Sequence, residues 1–205
     1  MRRLFLLRHG RPDGDDLRRF LGQTDLTLGD RGRRQAAWWR ERLGQIEFSR
    51  IVTSDLIRAS ETADIIAGRN RQPIEPLAAL REIHLGDWEN RLFSEIQQSA
   101  PQLWSARGRN LGGFRPPGGE SFEDLQRRVA PVARNLFSQD GENILVVAHA
   151  GVNRVILGDL LGMPLSRIFS LAQDYCCLNL IETHPSGMRV RALNLAPEVL
   201  TDLGL

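Results

Sequence analysis

The stretch LFLLRHG, residues 4–10, decides how this chain is read. Four apolar residues run together as in a buried strand, then stop at Arg8-His9-Gly10. The shape returns late in the chain. ILVVAHAG, residues 144–151, is another apolar run, and it ends on His149 and small residues. Two strand-like runs each deliver a histidine at the exit, and the first delivers an arginine as well.

The 205 residues can bury one substantial core and fit a single domain, 1–205. The net charge is +2, with no basic tail and no block of like charge. Composition therefore supports neither nucleic acid nor a membrane surface as partner. All 27 basic residues are arginine. Genomic composition is the ordinary cause, but the bias removes lysine Schiff-base chemistry. Cys176 and Cys177 are adjacent; a vicinal disulfide is strained, so two reduced, packed thiols are expected. The N-terminus lacks the longer apolar region of a signal peptide. No stretch approaches the ~20 apolar residues of a membrane span. These features lead to an expectation of a cytoplasmic protein, monomer or homodimer.

Strands and helices alternate. Strands are expected at 3–7, 50–53 and 144–148, and helices at 31–44, 54–68, 121–138 and 152–161. The third helix has Ser121 as a plausible cap, with Asp124 three positions on. The runs 176–182 and 188–194 alternate like strands that pair across THPSG. Helical crossovers of this length imply a mostly parallel sheet in a three-layer α/β/α sandwich. Residues 90–120, rich in Pro, Gly and Gln, read as a small inserted cap.

This architecture gives the strand exits a purpose. Ligands of open α/β sheets bind outside the carboxyl ends of the strands. Arg8, His9 and His149 lie at two such ends. A third strand ends at Thr53 and leads into the helix that carries Arg58 in or near its first turn, where free N–H groups favour an anion. A lone histidine after a strand is usually structural, and a lone arginine is usually a surface residue. Together they make a phosphate site by charge and placement. A metal is the rival reading. The four histidines, His9, His84, His149 and His184, show no H-x-H or H-x-x-x-H spacing, and Arg8 beside His9 repels a dication. Neither a metal nor another cofactor is expected.

With these segments in order, the chain resembles the histidine phosphatase superfamily, the phosphoglycerate-mutase-like fold. LLRHG and VVAHAG carry the resemblance. So do GQTDLTLGDRGRRQA (22–36), SDLIRASETA (54–63), LREIHLGDWE (80–89) and PPGGESFEDLQRRV (116–129). The last is similar to the alpha-ribazole phosphatase and broad-specificity phosphatase branch. The resemblance implies a metal-independent phosphomonoesterase acting on a small phosphorylated metabolite such as alpha-ribazole 5′-phosphate. It implies His9 as nucleophile, Arg8 and Arg58 as phosphoryl-oxygen holders, His149 as a second pocket histidine and Glu82 as proton donor. Gln23, Thr24 and Ala150 are implied as further substrate contacts.

The sequence departs from that pattern at Arg11-Pro12, at an asparagine missing from DGDDLRRF, and at Asn90, where a glycine often follows W-E. A phosphoglycerate mutase is the alternative within the family. Its cap is usually longer and more basic than one with Arg107, Arg109 and Arg115 among the apolar Leu111 and Phe114. A non-catalytic phospho-ligand binding module is the third reading, and the presence of His9 and Glu82 speaks against it.

Overall fold

Alternation along the first strand sets the layers. β1 (Arg3–Arg8) sends Leu4 and Leu6 into one apolar cluster and Phe5 and Leu7 into another. A strand buried on both faces belongs inside a sheet that is covered twice. The computed structural model, which describes residues 2–15, 17–68, 72–138, 143–184 and 187–202, places it there. The other strands are β2 (Arg50–Thr53), β3 (Ile74–Pro76), β4 (Asn143–Ala148), β5 (Leu178–His184) and β6 (Gly187–Leu195). They form one sheet in the order β3-β2-β4-β1-β5-β6. β1, β2, β3 and β4 are mutually parallel, and β5 runs antiparallel to both β1 and β6.

The helices are α1 (Asp30–Leu43), α2 (Ile57–Ala67), α3 (Phe93–Ser99), α4 (Pro101–Arg109), α5 (Phe122–Ser138), α6 (Ala150–Leu160) and α7 (Pro197–Asp202). α1 and α2 bring Ala36, Trp39, Ala59 and Ala63 against Phe5, Leu7, Ile51 and Val147 on one face of the sheet. α5 and α6 bring Leu125, Val129, Val152 and Val155 against Leu4, Leu6, Val52 and Val146 on the other. The result is the expected α/β/α layering around a mostly parallel sheet. A third cluster of Phe20, Trp88 and Ile96, joined by Phe93, Trp104 and Phe114, lies where α3 and α4 meet the loops before α1 and after β3.

Several boundaries differ from the sequence reading, each for a local reason. α2 begins at Ile57 because Ser54 N–H is still bonded to the Val147 carbonyl (3.0 Å) and Ser54 Oγ accepts from Leu56 N–H. β5 begins at Leu178 because Cys176 has φ 57, which breaks an extended run. α6 begins at Ala150, directly after His149. β3, three residues ending in Pro76, and the two helices inside 90–120 went unread. Pro101 opens α4, where its missing N–H is harmless. The pairing of β5 with β6 is as expected, although Pro185 and Ser186 of the joining THPSG lie outside the described residues. Ser121 caps α5 as expected: its Oγ accepts from Asp124 N–H at 3.1 Å, and Asp124 accepts Ser121 N–H at 2.9 Å.

The turn after β1 is packed backbone against backbone. A Cβ on Gly10 would lie 2.6 Å from the Gly32 carbonyl oxygen, and one on Gly32 would lie 2.2 Å from that of Arg11. Gly32→Ala is therefore expected to destabilise the fold by about 1–3 kcal/mol, because backbone cannot step aside as a side chain can. Gly108→Ala, on the exposed face of α4 with no atom near the added methyl, should raise stability by up to ~1 kcal/mol. Urea midpoints of the two variants, at unchanged m-value, test both signs.

Candidate active site

The register between β1 and β4 builds the site. Arg8 pairs with Ala148, and His9 N–H continues the ladder onto the Ala148 carbonyl at 3.0 Å. The two histidines leave adjacent strands side by side, with ring centroids 5.0 Å apart. His9 is 3% exposed and His149 is 0%.

His9 is held in one tautomer. Its Nδ1 lies 2.7 Å from the Gly10 carbonyl oxygen. A carbonyl only accepts, so Nδ1 carries the hydrogen and Nε2 keeps its lone pair. Arg58 Nε–H points at that lone pair from 3.3 Å. The remaining Arg58 nitrogens donate to the carbonyls of Thr24 and Gly22, each at 2.7 Å. Arg58 is 1% exposed, so this guanidinium is an interior clamp between α2 and the loop at 22–24. Arg8 donates to the Gln173 carbonyl at 2.6 Å and lies 3.7 Å from the centre of the Tyr175 ring.

Burial first, then Arg58 and Arg8, hold the imidazole of His9 well below its ordinary pKa. Burial, Arg58, His9 and Arg8 do the same to His149. Both rings are thus neutral at neutral pH. Among the described residues, Arg8 Nε and both ring nitrogens of His149 are buried polar atoms without a hydrogen-bond partner. Buried polar atoms of this kind, the Arg8 N–H and one donor and one acceptor nitrogen on the neutral His149 ring, are costly unless a ligand meets them. Donors, positive charge and a helix start converge at one point, an arrangement suited to an anion.

Glu82 reaches the same cavity from the loop after β3. Its carboxylate accepts Ile83 N–H at 2.9 Å and Gly151 N–H at 3.0 Å. A Cβ on residue 151 would meet Glu82 Oε1 at 2.3 Å, so the glycine makes room for the carboxylate. Arg128 fixes the loop from behind through the carbonyls of Ala79, Arg81 and Glu82 and the carboxylate of Glu120. Gln23 donates its side-chain amide to the Glu82 carbonyl at 3.0 Å, and Thr24 donates its hydroxyl to Glu89 at 3.3 Å. Glu89 also accepts the Gln23 and Leu85 N–H groups. Asn90 has φ 59, the left-handed region where asparagine is the best substitute for glycine.

A cavity of about 210 Å³ opens over these groups, lined by Arg8, His9, Arg58, Glu82 and Ala150 among others. His149, buried with its ring beside that of His9, is not among the lining residues, and neither are Gln23 and Thr24, which make the contacts to Glu82 and Glu89 just described. Sequence reading missed Tyr175, which stacks on Arg8, faces the His9 ring at 5.6 Å and donates its hydroxyl to Asp15. It also missed Arg154 and Phe169 in the cavity wall. None of the three has a motif. Among the described residues, no group of three His, Cys, Asp or Glu side chains is placed to hold a metal ion, and no helix is long and apolar enough to cross a membrane.

The chain belongs to the histidine phosphatase superfamily, branch 1, which it matches over residues 4–196. It is 36% identical over 172 residues to the glucosyl-3-phosphoglycerate phosphatase of Mycolicibacterium vanbaalenii, covering 80% of this chain and 76% of that one. It superposes on the crystal structure of the alpha-ribazole phosphatase from Shigella flexneri with a TM-score of 0.86 at 30% identity, covering 94% and 96% of the two chains. A mycobacterial glucosyl-3-phosphoglycerate phosphatase, solved as a complex with VO3, gives 0.85 at 31% identity over 96% and 100%.

The lowered histidine pKa values carry a stability consequence. The unfolded chain binds protons at both histidines below about pH 6.5, and the folded chain does not. Their contribution is whole above pH 6.5 and is lost as pH falls from there toward the depressed folded values. Urea unfolding between pH 7.5 and 5.5 should show stability falling with a slope of up to ~1.4 kcal/mol per pH unit for each histidine. The His9→Gln/His149→Gln double variant should flatten that slope.

Proposed function

We propose that the chain is a metal-independent phosphomonoesterase that works through a phosphohistidine on His9. Its class, phosphoric monoester hydrolase, is that of the relatives named above. The observation that carries the mechanism is the His9 tautomer: Nδ1–H engaged by Gly10, and Nε2 keeping its lone pair, held by Arg58 Nε–H, toward the anion cradle. The Nε2 lone pair forms a bond to phosphorus as the ester P–O bond breaks. The departing alkoxide takes a proton from the Glu82 carboxylic acid. Water then attacks phosphorus, Glu82 accepts its proton, the N–P bond breaks and phosphate leaves.

Arg8 Nε and His149 are the groups that meet the phosphoryl oxygens, and Arg58 Nε turns from the imidazole to an oxygen once the pair is used. Fixed charges aimed at developing negative charge supply the stabilisation that a divalent ion supplies elsewhere. Arrival of a dianion reverses the electrostatics around His149 and charges it. Ala150 opens α6 beside it and adds the favourable end of the helix dipole. Gln23 and Thr24 serve the same end of the cavity by holding the loop whose carbonyls clamp Arg58. The substrate is a small phosphorylated metabolite, for which alpha-ribazole 5′-phosphate is the first candidate from the branch resemblance.

Labelled substrate should give rapid, acid-labile phosphorylation in the wild type and none in His9→Ala. Labelling that survives without His9 would remove it as nucleophile. Activity should persist after exhaustive chelation; its loss, with restoration by one divalent ion, would end the metal-free mechanism. Glu82→Gln keeps the shape and loses the proton. Its kcat should fall by ~10²–10⁴ for alkyl phosphates, and much less in the phosphorylation step of p-nitrophenyl phosphate, whose leaving group needs little protonation. An equal loss for both substrates in that step would assign the acid elsewhere.

A further inference from the structure

Arg8 leaves β1 with little to aim it. Its Nε is buried without a partner. Among the described residues, its guanidinium makes a single hydrogen bond, to the Gln173 carbonyl at 2.6 Å. A planar group held at one edge can still swing about that bond. The Tyr175 ring limits the swing, because its centre lies 3.7 Å from the guanidinium carbon.

Both restraints come from one turn, and that turn is built against β1. Cys176 N–H donates to the His9 carbonyl, and Arg8 N–H donates to the Cys177 carbonyl, each at 3.0 Å. The positive φ of Cys176 reverses the chain between the two bonds. Behind the turn, Asp174 N–H donates to Asn194 Oδ1, and Asn194 Nδ2 donates back to Asp174 Oδ2, both at 2.7 Å. The side-chain amides of Gln173 and Asn179 bond to each other at 2.9 and 3.0 Å. The outer tip of Tyr175 is tied as well, since its hydroxyl donates to Asp15. The ring thus stands in the cavity wall, held at both ends, 5.6 Å from the ring of His9.

The hydroxyl is out of play for proton transfer. Its one hydrogen goes to Asp15, and burial pushes its pKa up to about 12. What the residue offers the site is its face. An aromatic face attracts a cation without consuming any N–H. A carboxylate in the same place would occupy those donors and compete with phosphate for them.

Resting on the phosphoryl-holding role given to Arg8 above, we propose that Tyr175 is a positioning residue for the reaction. Its immobilised ring is the platform that holds the Arg8 guanidinium with its N–H edge toward the phosphoryl oxygens. It acts through Arg8 and touches no reacting atom.

The test is a double-mutant cycle read by calorimetric binding of inorganic phosphate. Tyr175→Leu should weaken phosphate about tenfold and lower kcat/KM for p-nitrophenyl phosphate by a similar factor, the size of a desolvated cation–π contact. In an Arg8→Gln background the same substitution should change phosphate binding by no more than about twofold. A loss of equal size in both backgrounds makes Tyr175 a purely structural residue and overturns the proposal. Tyr175→Phe keeps the face and loses the Asp15 bond, so it should bind phosphate within about twofold of the wild type. A loss as large as that of the leucine variant overturns the platform. Should leucine unfold the protein, as read by urea midpoint, a pentafluorophenyl side chain at 175 keeps the shape and reverses the electrostatics of the face. It should weaken phosphate about tenfold relative to Tyr175→Phe, and equal binding overturns the proposal. Failure of the phosphatase reading looks different. A wild type that neither binds phosphate nor turns over p-nitrophenyl phosphate, or an Arg8→Gln variant that binds phosphate as the wild type does, removes the role of Arg8 and the platform with it.

Discussion

The parallel pairing of Arg8 with Ala148 is the constraint on which the rest depends. Side chains alternate along strands, so a slip of one residue would turn every core residue of β1 to the wrong face. The same slip would carry His9 away from His149 and Arg8 away from Gln173. The two apolar clusters therefore enforce the register of the site as well as the fold. Leu4 and Leu6 answer to one helical layer, and Phe5 and Leu7 to the other. Packing that serves only stability at one end of the strand becomes geometry at the other.

The site bears an electrostatic cost that packing offsets. Arg58 is nearly inaccessible, has two neutral histidines and Arg8 as neighbours, and makes hydrogen bonds to neutral acceptors only. Glu82 and Asp25 supply partial compensation through space. Concentrated positive charge in a low-dielectric pocket is unfavourable alone and strongly attractive to an anion, for the same reason. Holding the histidines neutral limits the repulsion, and it leaves the His9 lone pair usable as the nucleophile proposed above.

Much of this was legible in the sequence, because the informative residues are local to strand exits. Arg8, His9 and His149 follow apolar runs directly, and Arg58 follows a short strand by a fixed offset. The layering follows from strand and helix periodicity. Other parts are set by distant contacts. α3 and α4 form against Phe20 and Trp88, and neither helix is apolar enough alone to announce itself. Tyr175 arrives at Arg8 through a turn made by the positive φ of Cys176. Arg154 looks like an ordinary helix position until Phe169 is folded beside it. The departure at Asn90 became intelligible only once its left-handed backbone was seen.

Gly151 has one more implication, which concerns how such a protein can fail. The added methyl of an alanine there would collide with the end of a flexible side chain, Glu82, rather than with backbone. The carboxylate would swing aside and the fold would survive. Glycine and alanine codons differ by one base, so a single transversion at a residue with no chemistry of its own can displace the proposed acid while yielding a well-folded product. Quality-control proteolysis recognises unfolded chains and would pass such a product. The cell would keep a full complement of a protein that binds its ligand and turns it over poorly.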